Sequence, residues 1–329
     1  MNQDLMIEAE GLVKHYGTTQ ALAGVDLSVA AGAILGVLGP NGAGKTTAIR
    51  ILTTLSRPDA GRARVAGFDV QAHPREVRRR IGVAAQATTM DDLLTGRQNL
   101  MMIAELSGLG HRDARRRSAE LLQRMELGEA ADRLTKGYSG GMRRRLDLAA
   151  SMIMAPAVLF LDEPTTGLDP VSRMAVWEVV RDMCRGGSTI LLTTQYLDEA
   201  DRLADTIAVF DHGRVIASGT PRDLKAETGA ARLEVTLSVP RPEAILALQP
   251  LLDGEPHLSQ DGRRLRAPVR NREGLATAVV RALDRAGILV DDVQVHQPSL
   301  DDVFFALTGH EADGEEALDG ESEDEAASA

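Results

Sequence analysis

Residues 31–56 read AGAILGVLGPNGAGKTTAIRILTTLS, and this stretch decides the fold. Ala33 to Leu38 is a short apolar run suited to a buried parallel strand. Gly39-Pro40-Asn41-Gly42-Ala43-Gly44-Lys45-Thr46 matches the phosphate-loop pattern G-x-x-x-x-G-K-[ST], and Thr47 follows it. Ala48, Ile51, Leu52 and Leu55 then recur at helical spacing. Glycines permit turns that a side chain would obstruct, and they let backbone N–H groups close on a phosphate. The helix N-terminus adds a favourable field for an anion. Of the 37 basic residues only four are lysine (Lys14, Lys45, Lys136 and Lys225), so a chain that nearly always uses arginine has a lysine at 45. Its ammonium is a compact charge with a donor geometry unlike that of a guanidinium. Thr46 offers a hydroxyl to Mg²⁺. A plain strand-to-helix turn explains less, because pattern and flanking context agree.

A second apolar strand, Val158-Leu159-Phe160-Leu161, ends in Asp162-Glu163-Pro164. Asp162 suits ligation of Mg²⁺, directly or through water, and Glu163 suits polarising a water for attack on a γ-phosphate. Between the two strands lies Tyr138-Ser139-Gly140-Gly141-Met142, ahead of the helically spaced RRRLDLAASMIMA. Ser-Gly-Gly before a helix is another anion site, a hydroxyl plus free N–H groups at a positive dipole end. One chain cannot easily aim both loops at one phosphate. Two chains can, each offering the serine-glycine loop to the nucleotide held by the other.

With these motifs in order, the sequence resembles the ATP-binding subunit of ATP-binding cassette (ABC) transporters over about residues 5–225. The resemblance implies ATP and Mg²⁺ as ligands, with residues 39–47 on the phosphates. It implies that Tyr16 stacks on adenine. Gln86 becomes the loop glutamine that senses Mg²⁺ and the membrane partner. Ser139, Gly140 and Gly141 become the signature loop, and Asp169 the aspartate at the dimer seam. Three positions depart from the family pattern. Tyr138 and Met142 replace the usual Leu and Gln around the signature core, and Met is only a weak acceptor. Gln195 replaces the usual switch histidine; it can donate an N–H to phosphate but cannot carry charge or shuttle a proton. Glu163 is therefore expected to carry most of the catalytic role, with Gln195 positioning, and basal turnover to be slow. The stretches Thr193–Asp201, Thr95–Leu100 and Pro298–Phe304 narrow the resemblance to the daunorubicin/doxorubicin-resistance type of drug exporter.

The chain has 329 residues, 43% hydrophobic and 26% charged, an ordinary globular composition with room for two domains. No apolar run is long enough to span a bilayer, and the first residues do not read as a signal peptide. A single cysteine, Cys184, excludes a disulfide framework and a cysteine-based zinc site. Net charge is −11, of which nine acidic side chains fall in 311–329 without a basic one, so the remainder carries −2 and shows no electrostatic footprint for nucleic acid. Alternating strand and helix patterns imply an α/β fold, a parallel sheet with helices on its faces. The expected division is an ABC ATP-binding domain at 1–228, with a helical subdomain at about 87–155. An α+β accessory domain at 229–310, β-α-β-β-α-β and ferredoxin-like, follows, then an acidic disordered tail at 311–329. The arginine runs 78–80, 115–117 and 143–145 read as solvated helix faces, or more sharply as contacts to a partner's cytoplasmic helix or an acidic lipid surface.

The expected function is an ATP-binding and ATP-hydrolysing subunit. It would act as a homodimer at the cytoplasmic side of the cell membrane and power export of a drug-like or hydrophobic compound through a separate integral-membrane permease. Two other readings are a soluble ABC ATPase acting on ribosomes or nucleic acid, and a nucleotide-binding switch with little hydrolysis. The first of these lacks a basic footprint and a sustained heptad run. The second rests on Gln195 and Met142.

Overall fold

The computed structural model describes residues 5–85, 90–227, 231–259, 261–269, 274–296 and 299–308. Gln86 and the acidic stretch 311–329 lie outside the described residues.

β1 (Leu5–Tyr16) and β2 (Thr19–Ala30) form an antiparallel hairpin, followed by β3 (Ile34–Leu38) and α1 (Lys45–Leu52). β4 (Ala60–Val65) and β5 (Phe68–Asp69) join the hairpin in a sheet of order β2-β1-β4-β5. Then come α2 (Pro74–Arg78), β6 (Ile81–Ala84), α3 (Gly96–Leu106), α4 (His111–Arg124) and α5 (Gly140–Ser151). β7 (Val158–Asp162), α6 (Pro170–Arg185), β8 (Thr189–Thr194), α7 (Leu197–Leu203), β9 (Thr206–Asp211), β10 (Arg214–Gly219) and α8 (Pro221–Glu227) follow.

The second sheet has the order β10-β9-β3-β8-β7-β6 and is parallel apart from its β9–β10 edge hairpin. Every residue of β3, β7 and β8 is buried, as continuous apolar runs in a two-sided parallel sheet require. The period of two divides β7 between two cores. Leu159 and Leu161 pack with Leu121, Leu148 and Trp177 of the helical side; Val158 and Phe160 pack with Ile51, Leu12 and Val25 on the other. The β9–β10 turn has positive φ at both His212 and Gly213, the geometry of a two-residue hairpin.

α3 begins with a capping box: Thr95 Oγ1 accepts from Gln98 N at 3.1 Å, and Gln98 Oε1 accepts from Thr95 N at 2.9 Å. That pair accounts for Thr95 and Gln98 in the sequence motif.

The remaining elements are β11 (Ala231–Leu237), α9 (Ala244–Leu248), β12 (His257–Leu258), β13 (Arg264–Val269), α10 (Leu275–Arg285) and β14 (Val290–His296). Their antiparallel sheet has the order β12-β13-β11-β14, the ferredoxin-like arrangement, around Leu233, Val235, Leu265, Val279 and Leu283. The first helix of this unit is short: α9 gives way to a 3₁₀ turn at Gln249–Leu251, where Pro250 has no N–H for a helical bond. α11 (Leu300–Thr308) returns to the first unit, burying Leu300, Val303 and Phe304 against Leu197, Ala200 and Leu224.

Candidate nucleotide site

Strand register assembles the site. β8 lies between β3 and β7, with Leu38 opposite Thr194 and Asp162 opposite Thr193. Gly39, Gln195 and Glu163 therefore leave the sheet along one edge, the carboxyl ends of three adjacent parallel strands. Ligands bind at such edges in open α/β sheets.

The loop after β3 shows why its glycines are needed. A Cβ at Gly39 would fall 2.4 Å from the Phe210 carbonyl oxygen. Gly44, at φ 105°, packs under Ala21, whose carbonyl oxygen would be 2.5 Å from a Cβ there. Gly42 also has positive φ (83°), but open space beside it, so its backbone can meet a ligand. Gly213 N donates to Ala43 O at 3.1 Å, tying the β9–β10 turn to the loop. Lys45 is buried and donates to the carbonyls of Gly39 at 2.6 Å and Pro40 at 3.1 Å. Its Nζ lies 4.0 Å from Glu163 Oε1. Burial lowers the Lys45 pKa, and the carboxylates of Glu163 and Asp162 oppose that shift. Asn41, Gly42 and Thr46 are exposed; Pro40 and Thr47 are partly so.

The carboxylates differ in setting. Asp162 is 7% exposed and accepts hydrogen bonds at Oδ1 from Thr193 Oγ1 (2.5 Å) and Thr46 Oγ1 (3.3 Å). Glu163 points to a more open place and has φ 48°, a left-handed conformation rare outside glycine. Its N–H donates to both Thr193 O (3.2 Å) and Thr193 Oγ1 (3.1 Å). One carboxylate buried beside two hydroxyls and one held at the rim can divide metal ligation from proton acceptance.

Ser139 caps α5, its Oγ accepting from Met142 N at 3.2 Å, and both Ser139 and Gly140 are exposed. Gly141 is buried against α6. Asp169 caps α6 by accepting from Ser172 N (2.9 Å) and Ser172 Oγ (2.6 Å). Tyr138, where the family pattern has Leu, is buried and donates to Ala130 O at 2.7 Å.

Residues 22–166 match the ABC transporter family. The chain is 55% identical over 315 residues to the "Daunorubicin resistance ATP-binding protein DrrA2" of Streptomyces coeruleorubidus, covering 94% of this chain and 97% of that protein. The chain belongs to the ABC transporter family. It is an ATPase of that family and binds nucleotide. It is also 39% identical over 308 residues to "Nod factor export ATP-binding protein I" of Ralstonia nicotianae, covering 93% and 94% of the two chains. Among solved structures, cbiO1 of Clostridium perfringens, "part of the ABC transporter complex cbiONQ", superposes with a TM-score of 0.64 at 28% identity, over 68% of this chain and 92% of that one.

Among the expected site residues of this ABC cassette, Tyr16 sits apart from the strand-end cluster. Tyr16 is at the hairpin end of β1, 46% exposed, with Lys14 Nζ 5.5 Å from its ring centre. Ala21, a few residues on in β2, packs against Gly44, so this hairpin flanks the phosphate loop. Gln195 follows β8 and is partly exposed.

Four residues in the cassette's contacts have no site role assigned to them from the sequence. Thr193 joins the two carboxylate positions. Ser172 fills the space beside Gly141. Glu199 is fully buried on α7 and accepts at Oε1 from Thr165 Oγ1 and Trp177 Nε1, both at 2.9 Å. Arg144 corrects the expectation of a solvated face at Arg143-Arg144-Arg145: it is 7% exposed, because its spacing from Gly141 and Leu148 puts it on the inner face of α5. Its side chain crosses to the strand ends instead. Arg117 likewise turns inward, donating to Met152 O (2.9 Å) and Ile153 O (3.2 Å). Beside β6 and α3 runs a groove of about 890 Å³ lined by Val83, Ala85, Met102, Leu106 and Met154.

Proposed function

We propose that this chain powers export of a drug-like, daunorubicin-class compound through a separate integral-membrane permease. The relatives' names supply the compound class. The shared strand-end register of the phosphate loop, Glu163 and Gln195 is the observation that carries the chemistry.

In this reading, residues Gly39 to Thr47 bind the phosphates of ATP, with backbone N–H groups of the loop and the Lys45 ammonium as donors. Lys45 exchanges its contact with the Gly39 and Pro40 carbonyls for phosphate oxygens. Tyr16 stacks on the base. The Asp162 carboxylate, with hydroxyls converging on it, is a hard-oxygen site suited to Mg²⁺. Thr46 and Asp162 would hold the ion, with Gln86 as a third expected ligand; bound, it neutralises charge on the β- and γ-phosphates. Glu163 orients the attacking water and accepts its proton. Gln195 donates an amide hydrogen to the γ-phosphate.

Ser139, Gly140 and Gly141 meet the nucleotide of a second copy, with Asp169 at the seam. Exposure of Ser139 and Gly140 at a helix N-terminus supports this homodimer. Closure of two copies on ATP and release after hydrolysis convert differential nucleotide affinity into motion. The apolar groove at Val83, Met102 and Leu106 suits a cytoplasmic helix of the permease, since Leu106 is 81% exposed. Among the described residues no helix is long and apolar enough to cross a membrane, which fits a peripheral subunit held at the cytoplasmic face by that contact. The cassette corresponds to 1–228 and the accessory domain to 229–310.

Membrane vesicles containing the chain and its permease test the reading. ATP-dependent daunorubicin accumulation is expected in inverted vesicles and absent with Glu163→Gln. That variant should form a stable dimer on Mg-ATP, read by sedimentation. A Glu163→Gln chain that stays monomeric beside the permease rejects the dimer mechanism.

A further inference from the structure

We infer that Arg144 is a positioning residue for hydrolysis, holding the backbone of Glu163 in its reactive conformation from below. This rests on Glu163 acting on the attacking water, as proposed above.

Arg144 donates to four main-chain carbonyls: Pro164 O through Nε at 2.6 Å, Ala85 O through Nη1 at 2.7 Å, and Asp162 O and Glu163 O through Nη2 at 3.0 and 3.1 Å. Three successive carbonyls of the strand end are thus fastened to one rigid fork, together with that of Ala85, which follows β6. Planar guanidinium geometry makes this possible; an ammonium has three donors at one point. The side chain is otherwise an expensive choice, because burial disfavours its charge and lowers its pKa. The carboxylates of Asp147, Glu199, Asp162 and Glu163 surround it and offset that cost.

Glu163 explains the need. A non-glycine residue at φ 48° persists only where its surroundings over-determine it. Thr193 fixes the N–H of Glu163 and Arg144 fixes its carbonyl, so the peptide groups on both sides of the strained Cα are anchored. The anchor comes from α5, whose first turn presents Ser139 and Gly140. Displacement of that helix therefore shifts Glu163 directly, which links the signature loop to the water-activating carboxylate within one chain.

The test compares Arg144→Lys and Arg144→Gln with the parent and with Glu163→Gln, all as the full chain, measuring ATPase kcat, KM, Mg-ATP affinity and thermal unfolding. Arg144→Lys is expected to lower kcat more than tenfold while Mg-ATP affinity changes less than twofold and the unfolding transition is retained. Arg144→Gln, a neutral planar donor, should recover part of the loss. Lys and Gln variants with parental kcat overturn the inference, provided Glu163→Gln is inactive. If Glu163→Gln is itself active, the assignment of Glu163 fails instead. A parallel fall in kcat and affinity, or loss of folding in both variants, also overturns it, because Arg144 would then serve the fold as a whole.

Discussion

Gly141 of the signature loop sits against Ser172 so closely that a Cβ on the glycine would fall 2.6 Å from Ser172 Oγ and 2.8 Å from its Cβ. The loop proposed to meet a second copy is thereby keyed to the helix that Asp169 caps. Gly141→Ala should destabilise the chain by about 1–3 kcal/mol, the usual cost of overpacking. Ser172→Gly in the same chain should recover most of it. Thermal unfolding of the single and double variants measures the coupling, and purely additive effects would reject this contact as the cause.

Glu163 and Gln195 leave adjacent strands but differ in what they can do. Glu163→Gln should reduce kcat by about 10²- to 10⁴-fold, the range of a general base, with nucleotide binding intact. Gln195→Ala should cost less, since it removes one hydrogen bond from a neutral amide to phosphate, worth about 1.5–3 kcal/mol. Steady-state ATPase assays decide; a larger loss at Gln195 than at Glu163 would reverse the two roles.

Lys45 fits between two carbonyls in a buried slot. Lys45→Arg keeps the charge but not the shape, so it should fail to restore what Lys45→Ala loses. Both variants should bind Mg-ATP more weakly by about tenfold or more, as expected for loss of a charge-assisted contact. Fluorescent-nucleotide titration reads the affinity, and near-parental binding by Lys45→Arg would contradict the geometric argument.

Glu199 carries the clearest pH signature. Burial pushes its carboxyl above the usual range, and Asp198 adds to the rise, while hydrogen bonds from Thr194, Trp177 and Thr165 pull the other way. Arg144 is its cationic neighbour. The folded chain thus keeps this proton to higher pH than the unfolded chain does. Its contribution to stability is complete below the ordinary carboxylate range and declines as pH rises toward the folded value. Glu199→Gln preserves the oxygen that Thr165 and Trp177 address but cannot ionise. The difference in Tm, variant minus parent, should therefore grow as pH rises above the ordinary carboxylate range. A difference that shrinks with pH would refute the sign.

Much of this site was legible in the sequence because its chemistry is local. The phosphate loop and the Asp162-Glu163 pair are short contiguous segments, each readable as a pattern without knowledge of its partners. β7 falls where the apolar run Val158-Leu159-Phe160-Leu161 puts it, because a buried apolar run leaves little choice of register. Arg144 was not legible: its partners at Ala85 and Asp162 lie 59 and 18 residues away, and an arginine run looks solvated unless its helical phase is followed. Thr193 and Ser172 were hidden for the same reason, since a hydroxyl beside a distant carboxylate or glycine leaves no periodic trace.

One consequence follows from where α11 ends up. The polypeptide departs from the cassette at α8 and re-enters it at α11, and Leu224 of the first touches the apolar side of the second. The ferredoxin-like unit is therefore an excursion with both stems rooted at one spot, beside the helix that follows Gln195. Such a module can be exchanged, enlarged or trimmed without rethreading the nucleotide machinery, while anything that pulls on it tugs at a single root next to Gln195.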